Sequence, residues 1–195
     1  MAKIVDHDER RRELARAALD VISRSGLEAA TIRAVAEESG WSTGVLKHYY
    51  TDKNELLRES LRELERINVM RFDAAQQHPT GFEAIRSGVT TILRGDPNES
   101  RLWIAFTSRA SVDPKIAAMM RRAIEVWVVR WSALVTRGQH DGSIRPDLDP
   151  YRVATELHAL VNGLRLRAEF QPDKPSREWP FIDGELTLLE GLRAR

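Results

Sequence analysis

Residues 31–50, TIRAVAEESGWSTGVLKHYY, carry the side chains best suited to recognition chemistry. Ser42, Thr43 and Gly44 are followed at helical spacing by Lys47, His48 and Tyr49. Hydroxyls, an imidazole and an ammonium can donate to phosphate oxygens or meet base edges, and a glycine lets another backbone come close. Thr31, Arg33, Trp41 and Lys53 flank the set. The chemistry expected is the reading of a DNA duplex. Thr43 and Gly44 meet it first, His48 faces a base edge, and Lys47, Lys53, Arg33 and the Tyr49 hydroxyl serve phosphates. Each residue also has a plainer role: Thr43 as an ordinary helix start, Lys47 as a solvated lysine, Tyr49 as packing.

A second set is apolar. Phe72, Trp103, Phe106, Met120, Ile124, Trp127 and Trp131 form an aromatic and thioether group. Met120, Ile124, Trp127 and Trp131 share one helix face at i, i+4, i+7, i+11. They suit core packing, or the wall of a pocket for an apolar or cationic effector, since tryptophan faces attract cations. His158 and Asn162 could add polar contacts to such a pocket, or be satisfied core groups.

The elements that must position these residues are all helical. Thr31 and Ser42 are cap residues for two short helices, and Gly40 ends the first of them, where a positive φ is wanted. This is a helix-turn-helix, whose second helix presents its N-terminal part to the DNA major groove. Before it, residues 8–24 place Leu14, Ala17, Ala18, Val21 and Ile22 on one face. After it, Asp52 and Glu55 form a capping box for a long helix over 52–77. Thr80 with Glu83 opens a helix to Leu93. Asp96-Pro97, Asp113-Pro114 and Asp149-Pro150 start helices over 97–110, 114–137 and 150–168, with proline at the first helical position. A last helix is expected over 180–193. The fold class is all-α, with nine helices: a three-helix head over 1–51 and a body over 52–195, joined by helix 52–77.

Composition narrows the function classes. The 195 residues are 42 % apolar and 30 % charged, an ordinary globular balance. No run of about 18 apolar residues suggests a membrane span. The opening MAKIVDHDERRREL has no signal-type apolar core, and cytoplasmic placement is expected. Without cysteine there is no thiol nucleophile or Cys-based zinc site. No Glu-x-x-His pair offers a di-metal centre, and the histidines at 7, 48, 78, 140 and 158 are scattered. No metal, cofactor or enzymatic activity is expected. The net charge is only +1, and residues 1–50 hold eight basic and eight acidic residues. Any positive field for DNA must therefore come from local placement of Arg10, Arg11, Arg12, Arg33, Lys47 and Lys53.

Residues 8–60 resemble the TetR family of bacterial transcription regulators. The resemblance rests on Gly26, Thr31-Ile32, Val35-Ala36, Gly40, Ser42-Thr43-Gly44, Leu46, Tyr49-Tyr50 and Asp52-Lys53-Asn54-Glu55-Leu56. The body is loosely similar to the branch of choline-responsive repressors, through the Trp103 helix, Asp113-Pro114, Asp149-Pro150 and Asn162-Gly163. The resemblance implies a homodimer on a near-palindromic operator, with a small-molecule effector in the body that shifts the fourth helix and the spacing of the heads. Two departures bear on the operator sequence: Trp41 where the family usually has a small aliphatic residue, and Lys47 where it usually has tyrosine. For the dimer, Leu157, Leu160, Val161, Gly163 and Leu164 join Ile182, Leu186 and Leu189 as a four-helix interface; burial within one chain is the alternative. A protein of this fold that no longer reads DNA and acts as a binding module is the competing function.

Overall fold

The computed structural model describes residues 7–94, 97–170 and 187–194. The helices are α1 (His7–Ser25), α2 (Ile32–Ser39), α3 (Thr43–Tyr49), α4 (Lys53–Ala75), α5 (Gly81–Leu93), α6 (Pro97–Ala110), α7 (Pro114–His140), α8 (Pro150–Glu169) and a single turn, α9 (Thr187–Glu190). A 3-10 turn, Leu27–Ala29, links α1 to α2. Among the described residues there is no strand, only an isolated bridge between Ile144 and Arg193.

Local chemistry sets the helix ends. Thr31 Oγ1 accepts from the Ala34 amide at 3.1 Å, and Ser42 Oγ from that of Val45 at 3.3 Å. Asp52 Oδ1 accepts from the Glu55 amide at 2.7 Å, and the Glu55 carboxylate accepts in turn from the Thr51 amide at 2.8 Å. Asp113 caps α7 and Asp149 caps α8; Asp96 lies outside the described residues. Gly40 adopts φ 71°, and the amide of Trp41 returns to the Ala36 carbonyl, so the chain turns sharply between α2 and α3.

Three boundaries differ from the sequence pattern by two residues or more. α4 stops at Ala75, two residues early, and α7 continues through His140. The expected helix over 180–193 falls partly outside the described residues, including Phe181, Ile182 and Leu186. Its described part ends at Glu190. Beyond it the Leu192 carbonyl accepts from Arg145, and the Ala194 amide donates to Ser143, so these backbone groups are spent on another segment.

The chain divides into two compact units, Met1–Asn68 with Arg101–Ala117, and Val69–Ser100 with Ala118–Arg195. The division falls inside α4. In the first unit Leu14, Ala18, Val35, Leu46, Leu56 and Leu61 are fully buried, and the Tyr50 hydroxyl donates to the Arg11 carbonyl at 2.8 Å. Burial raises the Tyr50 phenol well above its ordinary range.

In the second unit Phe72 meets the rings of Trp127 and Trp131 edge-on, with centroids 5.1 and 4.6 Å away. Gly88 lies against this group: a Cβ there would stand 2.8 Å from Phe72 Cε2. Gly81 crosses Gly138 still more tightly, for its Cβ would fall 2.2 Å from the Gly138 nitrogen. At this crossing the Gly81 amide donates to Asp141 at 2.7 Å and the Phe82 amide to Ser143 at 3.2 Å. Arg137 donates to the carbonyls of Gln76, His78 and Pro79, beyond the end of α4.

Candidate nucleic-acid interface

The seven residues of α3 sort cleanly by burial. Leu46 is fully buried and Val45 and Tyr49 are half-buried, while Thr43, Gly44, Lys47 and His48 are exposed, as is the cap Ser42. Glycine at 44 is not demanded by the chain's own packing: a Cβ would meet only Ser42 Oγ, at 3.6 Å. The chain itself has room for a side chain at this position. The ring of His48 lies beside Tyr49 (5.4 Å) and His7 (6.3 Å). Gly40-Trp41-Ser42-Thr43-Gly44 has the spelling of a nucleophile elbow, Gly-x-Ser-x-Gly. That motif requires a strand-to-helix turn; here it joins two helices, and Ser42 Oγ is a helix cap.

Local and distant partners together set the electrostatics around α3. Arg11 contacts Glu55 at 3.3 Å and Glu59 at 4.0 Å. Arg10 pairs with Glu13 at 2.7 Å and stacks on the Trp41 ring at 3.8 Å. Arg12 pairs with Glu9, and Arg33 with Glu37. Lys53 donates to both the carbonyl and the carboxylate of Glu28, each at 2.9 Å; the Lys53 hydrogen bond holds the Glu28 carboxyl below its usual range. Of the six cations that the sequence offered as a positive field, five are thus neutralised within the chain. Among the described residues Lys47 alone of them has no ion-pair partner. Trp41 is also engaged inside the head, its indole N–H donating to Glu13 at 3.1 Å.

The residues expected to line an effector pocket are spread over both units. Trp103 and Phe106 belong to the first, where Phe106 is fully buried and the Trp103 indole N–H is buried without a partner among the described residues. Phe72, Trp127 and Trp131 pack on one another in the second, with Met120 buried and Ile124 43 % exposed. Asn162 Nδ2 donates to the His158 carbonyl at 3.0 Å and lies 2.9 Å from His158 Nε2. Sequence reasoning passed over a charged group in this unit, in which Arg165 and Glu99 are buried and Arg71 is half-exposed. Charged residues are normally read as surface; the missed signal was that Arg165 lies on the same α8 face as His158 and Asn162.

The expected dimer residues need correction. Leu157, Val161, Leu164 and Leu189 are buried in the core of the second unit and so are not an open face. Leu160 is half-buried and Gly163 exposed, while Ile182 and Leu186 lie outside the described residues. The α8 stripe is wide because it serves the chain's own core.

No helix among the described residues is long and apolar enough to cross a membrane, and no described group of three His, Cys, Asp or Glu could hold a metal. Capped helices at a sharp turn, with a short exposed second helix, define a helix-turn-helix protein of the transcription-regulator class. Residues 14–60 match the family of bacterial regulatory proteins, tetR family, and residues 82–179 match the C-terminal part of BetI-type transcriptional repressors. The chain belongs to the TetR family of transcriptional regulators, which are not enzymes. It is similar to the HTH-type transcriptional regulator BetI of Vibrio parahaemolyticus, at 31 % identity over 88 % of this chain and 86 % of that protein. Its fold matches a transcriptional regulator from Rhodococcus sp. Rha1 with TM-score 0.77, at 27 % identity over 93 % of this chain and 97 % of the other. It also matches a regulator from Saccharomonospora viridis in complex with choline, with TM-score 0.79 and 23 % identity over 96 % and 100 % of the two chains.

Proposed function

We propose that the protein binds a near-palindromic operator as a homodimer and is released by a small-molecule effector, as a repressor. The observation that carries this is the start of α3. It exposes Ser42, Thr43 and Gly44 together with Lys47, the cation left unpaired among the head residues considered. In this assignment Thr43, Gly44 and His48 approach base edges, while Ser42, Lys47 and the Tyr49 hydroxyl serve phosphates. Thr31 and Arg33 lie on the flank. Trp41 and Lys53, held by Glu13 and Glu28, brace the head and reach DNA only by releasing those partners. The dimer contact uses the open side of α8 around Leu160 and Gly163; Ile182 and Leu186, expected in the same contact, lie outside the described residues.

The effector is received in the body. An apolar or cationic molecule suits the aromatic set, and choline in the Saccharomonospora viridis regulator is an example of the cationic kind. In this chain Trp127 and Trp131 are buried against Phe72 and offer no open ring face to a cation. The apolar alternative is therefore the one retained.

Selection from a random duplex library, followed by anisotropy titration of the winner at several salt concentrations, tests the proposal. An enriched inverted repeat bound by two chains, with affinity falling as salt rises, is the expected result. A folded protein that enriches no motif would overturn it.

A further inference from the structure

A buried charged group in the second unit has no part in reading DNA. Arg165 on α8 is only 9 % exposed, and its Nε has no hydrogen-bond partner among the described residues. Glu99 approaches, but its Oε2 stands 3.8 Å from Arg165 Nη2, beyond hydrogen-bonding range, and its other oxygen accepts from Arg71. His158 and Asn162 precede Arg165 by seven and three residues, on the same face of α8. Burial, helped by the charge of Arg165, pushes the His158 imidazole down, so it is neutral at pH 7. Burial also lowers Arg165, to about 10, which leaves it protonated. The two buried charges of the group are thus Arg165 and Glu99, and Glu99 is shared with the half-exposed guanidinium of Arg71.

A buried cation with unmet donors destabilises the chain that holds it, and an apolar side chain of similar volume usually does better there. The planar guanidinium fork matches a carboxylate in both shape and charge. The buried neighbours of Arg165 along α8 are apolar, Val161 and Leu164. We propose that Arg165, flanked by Asn162, receives the carboxylate of a small apolar monocarboxylic acid, and that this acid is the effector. The effector role rests on the regulator function proposed above; the binding site does not.

Calorimetric titration of the full chain with octanoate and benzoate, against octanol, benzyl alcohol and choline, tests the site. The two carboxylates should bind at least about tenfold more tightly than the three controls. Arg165→Met should abolish carboxylate binding and raise the melting temperature of the ligand-free protein. Arg165→Lys keeps the charge without the fork and should weaken octanoate by about tenfold. Absence of binding by either carboxylate, equal binding of octanol or choline, or wild-type octanoate affinity in Arg165→Met would each overturn the proposal. If neither variant folds, the wild-type comparison of octanoate with octanol decides. Operator binding is measured in parallel without ligand. Its loss alone would sink the regulator function and leave the carboxylate site standing.

Discussion

Replacing Lys47 with alanine tests the electrostatics of the head directly. Arg10, Arg11, Arg12, Arg33 and Lys53 each hold a carboxylate within the chain, and Lys47 holds none among the described residues. Each phosphate neutralised on a duplex contributes about 0.9 to the slope of log affinity against log salt. Two Lys47 side chains, one per head of the proposed dimer, account for about 1.8 of that slope. Between about 50 and 200 mM salt, wild type should then lose about twelvefold more affinity than Lys47→Ala. Anisotropy titration on the selected operator at four or five salt concentrations reads both slopes. Arg11→Gln is the control: its partners are Glu55 and Glu59, so it should lower stability and leave the slope unchanged. Parallel lines for wild type and Lys47→Ala, or a slope change for Arg11→Gln as large as the one expected for Lys47, would refute the reasoning.

Ser42→Ala removes the α3 cap and should lower stability by about 1 kcal/mol in thermal melts, whereas Ser42→Gly should lose only a few tenths. Gly88→Ala places a Cβ 2.8 Å from Phe72, a ring that can shift, and should cost about 1–3 kcal/mol by denaturant titration. Gly81→Ala meets the Gly138 backbone at 2.2 Å, which cannot give way, and should cost more; an equal or smaller loss would show that the crossing relaxes. Glu63 accepts from Arg16 and Arg66 at 2.7 Å each. Burial raises its carboxyl, but those bonds and charges together outweigh burial and hold it below its ordinary 4.5. The unfolded chain therefore takes up this proton first as pH falls, so the stabilisation is full above 4.5 and is lost below it. Glu63→Gln should melt lower than wild type at neutral pH, with the gap closing as pH drops below that value.

The helix starts were legible because a cap is a local device: Thr31, Ser42, Asp52, Asp113 and Asp149 each bond an amide two or three residues ahead. The helix-turn-helix could therefore be read from residue types alone. The distant part of the charge pattern could not, because Arg11 reaches Glu55 and Lys53 reaches Glu28 across 44 and 25 residues, whereas the pairs of Arg10, Arg12 and Arg33 are three or four residues apart. Periodicity also gives a face without saying what stands opposite it. Ile124 shares a face with Met120 and Trp127, yet they are buried and it is 43 % exposed. For the same reason Leu157 and Val161 were read first as a face for a partner chain, yet they lie in the chain's own core.

The bend between α4 and α5 has a consequence for the order of folding. Its outgoing amides, at Gly81 and Phe82, are satisfied by Asp141 and Ser143, and its incoming carbonyls, from Gln76 to Pro79, by Arg137. These partners are about sixty residues downstream in the chain. A segment emerging during synthesis meets the bend long before it meets the groups that close it. Until then the junction of α4 with α5 has the Thr80 cap, the local turn bonds at Gln76 and His78, and the packing of Phe72 on Gly88. Closing so long a loop is entropically slow. The polar groups of the bend are therefore completed only once the 137–143 turn is in place.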